Sequence, residues 1–273
     1  MSLKWLVEAY TEKEEMEEFV RSIKKLGYEC IESTKIPSYM SVEDYFKEGE
    51  CVISHTSIQT AGEILRKQWY PGSFCNFKEY RCSQFYPILA KYIFNSDYII
   101  LPYGDLLRRE EFIFNTIGTN NCIFIRPDSG FKIFTGTVLE REKFALDLPR
   151  LGYGDIDPHE LVVLAPPRNI KREWRIFATK EGVITGSQYH TEQGKILSKE
   201  VPKEVYDLAN EIAIKGGYCP DPVFSLDICQ SINDELKLLE FGCFSSSGIY
   251  MADTDLLADV VSKKAIEHYN NLF

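Results

Sequence analysis

From Lys4 to Lys67, short apolar runs alternate with amphipathic stretches of helical period, and this alternation constrains the fold more than any other feature of the chain. Lys4–Glu8 (KWLVE) reads as a short strand. Thr11 is placed to cap the next element, with Glu14 following as in a capping box. Met16, Phe19, Val20 and Ile23 then recur at helical spacing, and the pattern stops at Gly27. Tyr28–Ile31 and Cys51–Ser54 read as two further strands, followed by a helix from about Ser57 to Lys67. Strands separated by helices must return in the same direction, so this opening predicts a parallel sheet.

The pattern changes further along. Residues 68–95 are rich in aromatics and show no clear period. Asp97–Pro102 (DYIILP) reads as a buried strand, and Leu106–Ile117 as a helix stopped by Gly118. Cys122–Arg126 is a strand entering a glycine-containing loop, a helix is expected near Arg141–Leu148, and LGYGDIDPHE is a linker. Leu161–Ala165, Glu173–Thr179, Val183–His190, Val223–Cys229 and Glu235–Phe241 read as strands. Lys180-Glu181-Gly182 and Ile232-Asn233-Asp234 are tight turns that make two hairpins of them. Helices are expected over Lys203–Lys215 and Asp255–Asn270. The fold class is therefore α/β (α+β). The expected division is an N-terminal α/β domain over 1–95, a middle lobe over 96–158 and a C-terminal lobe over 159–273.

Composition narrows the function. A net charge of −10 argues against duplex nucleic acid, which requires a basic surface, but leaves room for a local pocket that binds small anions. No stretch approaches the ~20 apolar residues of a membrane span. The N-terminus lacks the basic start, apolar run and cleavage site of a signal peptide. The eight cysteines form no CxxC pair and several sit in apolar runs, so they are expected to be reduced core residues, with no zinc site. Together these features predict a cytoplasmic protein. Oligomeric state is not readable.

Three clusters can carry chemistry. In Arg126-Pro127-Asp128-Ser129-Gly130-Phe131-Lys132-Ile133-Phe134-Thr135-Gly136, a cation ends an apolar strand and a loop with two glycines and a second cation follows. Such a loop can bring backbone N–H groups and charge to phosphate oxygens; a hairpin with solvated cations has the same pattern. In Lys171-Arg172-Glu173-Trp174-Arg175-Ile176-Phe177, strand alternation puts Glu173, Arg175 and Phe177 on one face, which can look onto solvent or onto a cleft. The third cluster is Asp227, ending VFSLD, with Glu240 in LKLLEFG. Two such carboxylates can hold magnesium between phosphates, or pair with Arg126 or Arg175. His190 can line a cleft or lie on the surface. Trp69, Tyr70, Phe74, Phe77 and Tyr80 are expected to pack in a core, as is the last helix through Leu256, Leu257, Val260, Val261 and Ile266.

In this order the clusters resemble the ATP-grasp superfamily, in which an N-terminal α/β domain precedes two α+β lobes that grip ATP. Arg126, Lys132 and Arg175 are similar to the variant clade defined by two arginines and a lysine. IRPDSGFKIFTG, EWRIFATKEGVITGSQY and LEFGCFSSSGIY carry the likeness, over roughly residues 97–260. The resemblance implies a carboxylate–amine ligase acting through an acylphosphate, with ATP and Mg2+ as cofactors and small-molecule or peptide carboxylates and amines as substrates. It implies that Arg126, Lys132 and Gly130 contact phosphates, that Val162, Val163 and Leu164 form the adenine-binding hinge and that Glu173 touches ribose or orients a cation. Lys132 and Arg175 would serve the transferring phosphoryl group, and Asp227 and Glu240 the metal. The chain departs from the family where an Asn is usual in Glu-x-Asn, since Gly242 stands there. That departure keeps a nucleotide-binding module without catalysis in view, beside a phosphotransferase.

Overall fold

A computed structural model of the chain describes residues 2–8, 13–33, 45–152 and 154–272. In chain order its elements are β1 (Lys4–Glu8), α1 (Lys13–Lys25), β2 (Glu29–Ser33), β3 (Cys51–His55), α2 (Ile58–Ile64), β4 (Tyr70–Gly72), α3 (Cys82–Phe85), β5 (Ile99–Pro102), α4 (Glu110–Thr116), β6 (Cys122–Pro127), β7 (Thr137–Glu140), α5 (Phe144–Asp147) and β8 (Leu161–Ala165). There follow β9 (Ile170–Thr179), β10 (Gly182–Thr191), β11 (Gly194–Ser198), α6 (Lys203–Lys215), β12 (Phe224–Ser231), β13 (Leu236–Cys243) and α7 (Thr254–Asn270). The chain packs into two compact units, one of Met1–Asn76, Arg172–Ile228 and Glu240–Phe273, the other of Phe77–Lys171 and Cys229–Leu239.

The first unit opens with the expected parallel sheet, ordered β2-β1-β3-β4. Met16, Phe19, Val20 and Ile23 of α1 are all buried, as their spacing requires. Gly27 adopts a φ of +85°, a left-handed turn that costs a glycine little and ends the helix. Thr11, the expected cap of this helix, lies outside the described residues. Aromatic rings fill the core: Phe244 meets Trp5, Phe19, His55 and Phe177 with centroids 6.3, 6.4, 5.3 and 6.2 Å away. Trp5 Nε1 donates to Ser262 Oγ of α7 at 3.2 Å, which satisfies its one polar atom inside this core. Helix α7 is capped by Asp253, whose carboxylate accepts from Leu256 N, and it buries Leu257, Ala258, Val261, Ser262 and Ala265. Leu256, expected in the core, is 43% exposed, because it lies off the helix face that buries Thr254, Leu257, Ala258, Val261 and Ala265. The five-stranded sheet runs β11-β10-β9-β12-β13. Its β9–β10 hairpin turns through Lys180 and Glu181, pairing Gly182 with Thr179.

The cysteine expectation needs correcting. Cys75 and Cys243, 168 residues apart, are joined in a disulfide with Cα atoms 4.8 Å apart. The other cysteines are free thiols.

The second unit holds an antiparallel sheet ordered β5-β8-β6-β7. Leu106, Ile113, Phe114, Ile123, Ile125, Phe134, Phe144 and Leu164 build its core. The start of β13 is stitched to the aromatic segment, with Phe94 N donating to Leu238 O at 2.9 Å and Leu238 N to Tyr92 O at 2.8 Å. Strands β4, β7 and β11 and the short helix α3 were not expected from the sequence. Among the described residues, no helix is long and apolar enough to cross a membrane.

Phe244→Ala is expected to destabilise the protein by about 3–5 kcal/mol, since the cavity would lie among four aromatic rings. A denaturant titration followed by tryptophan fluorescence measures this.

Candidate functional site

In the second unit, β6 delivers Arg126 beside Val163 of β8. Arg126 is half-buried, and its Nη1 makes a long 3.5 Å contact to Leu239 O. The loop after it is tied down at both ends. Asp128 is fully buried and accepts from Ser83 N at 2.6 Å and Ser83 Oγ at 2.9 Å. At the far end, a Cβ on Gly136 would lie 2.8 Å from the tip of the Phe124 ring, so a larger residue there would have to displace that ring. Lys132, between these ends, is exposed and has a φ of +52°. Val162, Val163 and Leu164 are fully buried, and β8 lies between β5 and β6. The backbone polar groups of these three residues therefore belong to the ladders on either side.

In the first unit, Arg175 of β9 and Asp227 of β12 form a buried ion pair. Arg175 Nε and Nη2 donate to the two carboxylate oxygens of Asp227 at 2.9 and 2.8 Å, with the residues 8% and 2% exposed. Arg175 Nη1 also donates to Gly248 O at 3.3 Å. The guanidinium lies 5.4 Å from the ring of Tyr189 and 5.1 Å from that of Tyr250, which stack at 5.2 Å. Glu15 of α1 accepts from the backbone N–H of Ile249 and Tyr250 and so holds Tyr250 at its φ of +55°. Burial works against the charge of Arg175, but the field and hydrogen bonds of Asp227 prevail and keep it protonated. Tyr189 Oη donates to Glu173 at 2.6 Å and approaches Asp227 at 3.3 Å. Burial pushes the Glu173 carboxyl upward, the Tyr189 bond draws it down, and the charges of Asp227 and Glu240 add to the rise. His190 Nδ1 lies 3.4 Å from Glu173.

Arg175, Asp227 and Glu173 thus gather into one network, and Glu240 acts on it electrostatically. Tyr189 and Tyr250 were not singled out from the sequence, although both close motifs that were, GSQY and SGIY. A metal has restricted access to Asp227. Of roughly four lone-pair directions on a carboxylate, two accept from Arg175 and a third faces the Tyr189 hydroxyl. Among the described residues no group of three or more His, Cys, Asp or Glu is placed to hold a metal. Magnesium needs only one or two carboxylates beside phosphate and water, so the lack of a larger ligand cluster does not bear on it.

Gly242 is closed in by hydroxyls. A Cβ there would collide with Ser225 Oγ and lie 2.7 Å from Ser247 Oγ. These serines hydrogen-bond each other at 3.0 Å, and Ser247 Oγ also donates to Cys243 O at 2.8 Å. Gly242→Asn is therefore expected to lower stability by about 1–3 kcal/mol, as overpacking does. The penalty should shrink in a Ser225→Ala, Ser247→Ala background, which thermal denaturation of the four proteins would show. Arg175→Leu, which strands a buried carboxylate, is expected to cost about 3–5 kcal/mol in the same assay.

Comparison with known proteins matches this arrangement to a family. Residues 110–260 fit the model of an ATP-grasp domain, family 2 of the clade named for its two arginines and a lysine. No curated protein matches the chain. Among solved structures, D-cycloserine synthetase DcsG aligns at a TM-score of 0.63 and 9% identity, covering 97% of this chain and 100% of its own. D-alanyl-alanine synthetase A from Vibrio cholerae gives 0.63 at 10% identity, covering 99% and 100%. The ATP-grasp ligase PsnB, complexed with a minimal precursor, Mg and ADP, gives 0.52 at 12%, covering 96% and 98%. At these identities the likeness is one of fold. The chain has the ATP-grasp fold and belongs, among the ATP-grasp domains, to family 2 of the two-arginine, one-lysine clade.

Proposed function

We propose that the protein is an ATP- and magnesium-dependent carboxylate–amine ligase that forms a C–N bond through an acylphosphate. The observation that carries this reading is the buried arginine on β9, paired with one carboxylate that is linked to a second through the Tyr189 hydroxyl, within a domain of this family. Solved proteins of the same fold are named as synthetases of D-cycloserine and of D-alanyl-alanine and as an ATP-grasp ligase complexed with a minimal precursor. The proposed substrates are accordingly a carboxylate and an amine, each from a small molecule or peptide.

In this reading Arg126, Lys132 and the Gly130 backbone neutralise and orient the phosphates. Val162, Val163 and Leu164 supply the apolar strand beside the base, and Glu173 meets ribose or orients a cation. Lys132 and Arg175 stabilise negative charge on the transferring phosphoryl group, where fixed cations lower the barrier. Asp227 and Glu240 would hold magnesium, whose bound charge would screen the phosphate oxygens. Arg175 has a further role: it keeps Asp227 turned toward β9, because its fork matches both carboxylate oxygens. The cytoplasm is the proposed compartment.

A second reading, nucleotide binding without turnover, is favoured by the serine-walled Gly242. ADP release across a panel of amino acids and peptides separates the two. The ligase reading expects release that requires both a carboxylate and an amine and falls about 10²–10³-fold in Lys132→Ala, the loss typical of removing one group that stabilises transition-state charge. Tight ATP binding with no ADP release on any pair of substrates would establish the second reading.

A further inference from the structure

The aromatic stretch before β5 has no role in the reading above, yet it carries the loop that contains Lys132. Three independent contacts join the two. Gly130 lies flat on Tyr80, and a Cβ added there would sit 2.5 Å from Tyr80 Cβ and 3.4 Å from Tyr80 O. Phe131 meets Phe77 edge to face, with centroids 5.0 Å apart at 68°. Asp128 is hidden from solvent, and its carboxylate accepts from Ser83 N, Ser83 Oγ and, at 3.4 Å, Arg81 Nη1. Its own backbone completes the joint: Asp128 O accepts from Cys82 N at 2.9 Å, and Asp128 N donates to Leu161 O at 2.9 Å.

We infer that Asp128 is a positioning residue, which clamps the Ser129–Gly136 loop onto a seat formed by Phe77, Tyr80 and Ser83 and so fixes where Lys132 is presented. The physical reasons are specific. A carboxylate that accepts two bonds from one residue defines direction as well as distance, and charge assistance makes these bonds strong. Being buried, the carboxylate cannot itself reach a nucleotide, so any effect on binding passes through the loop. Gly130 is required because any side chain would lift the loop off Tyr80. Loops that bring backbone N–H groups to phosphate lose affinity when ordering must occur during binding, and a preformed seat removes that cost. The inference rests on the phosphate role proposed for Arg126 and Lys132, but the clamp itself can be read without any nucleotide.

The experiment uses the full chain as wild type, Asp128→Asn, Gly130→Ala and the milder Ser83→Ala. Hydrogen exchange is followed by mass spectrometry without nucleotide, and binding by titration with ATP and magnesium. The clamp expects peptides covering 129–136 and 77–83 to exchange at least tenfold faster in Asp128→Asn and Gly130→Ala, with peptides from β9 and α7 unchanged. It further expects the Kd for ATP to rise at least tenfold in both. Should Asp128→Asn fail to fold, Gly130→Ala and Ser83→Ala carry the same test, with a smaller rise for Ser83→Ala. Unchanged exchange at 129–136, or equal loosening throughout the chain, would overturn the inference. Local loosening in a protein whose wild type binds no ATP would keep the clamp and sink the nucleotide role instead.

Discussion

The buried pair of Arg175 and Asp227 sets the terms for the rest of the first unit. Removing two charges from water costs several kcal/mol per ion, and only near-complete hydrogen bonding offsets it. The chain surrounds the pair from four separate places. Strand β12 brings Asp227, the turn at Gly248 gives a carbonyl, and Tyr189 and Tyr250 cover the guanidinium with two stacked rings. Each of these requirements fixes a piece of backbone. Strand β9 must neighbour β12, Tyr250 must take a left-handed conformation, and α1 must extend Glu15 to hold it there. Glu173 joins the network through the Tyr189 hydroxyl, which places a second carboxylate close to the first without direct contact.

Much of the fold is legible from residue pattern, and the limits have physical causes. Strand β8 and helix α6 fall on the expected residues because their apolar periods are clean and their ends carry turn formers. The parallel opening follows from alternation alone. Residues 68–95 were opaque because Tyr80, Phe77 and Ser83 are held by a distant loop rather than by a local period. Disulfide pairing across 168 residues leaves no spacing signal. In the candidate site, alternation places Glu173 and Arg175 on one face of β9. Which carboxylate Arg175 takes depends on β9 lying next to β12, and strand order across a crossover is not written in local sequence. Tyr189 and Tyr250 escaped for a related reason: they meet only after the chain between them has folded.

Gly242 shows how a missing side chain can be a packed feature. Ser225 and Ser247 fill the space in front of it and share a hydrogen bond, and Ser247 passes its own to Cys243 O. The glycine, the two hydroxyls and the carbonyl form one unit, so a change at 242 is felt at 225 and 247.

The interleaving of the two units bears on how the chain is made. Synthesis runs from the N-terminus, and domains tend to fold as soon as their parts have emerged. The strands that form the β5-β8-β6-β7 sheet all lie between residues 99 and 165, so that sheet can close while the ribosome is still at work. Trp5 emerges well before its partners Phe244 and Ser262, the latter 257 residues further along the chain. Strand β1 therefore waits for its core until α7 has emerged, and during that wait its apolar face is one a chaperone would meet.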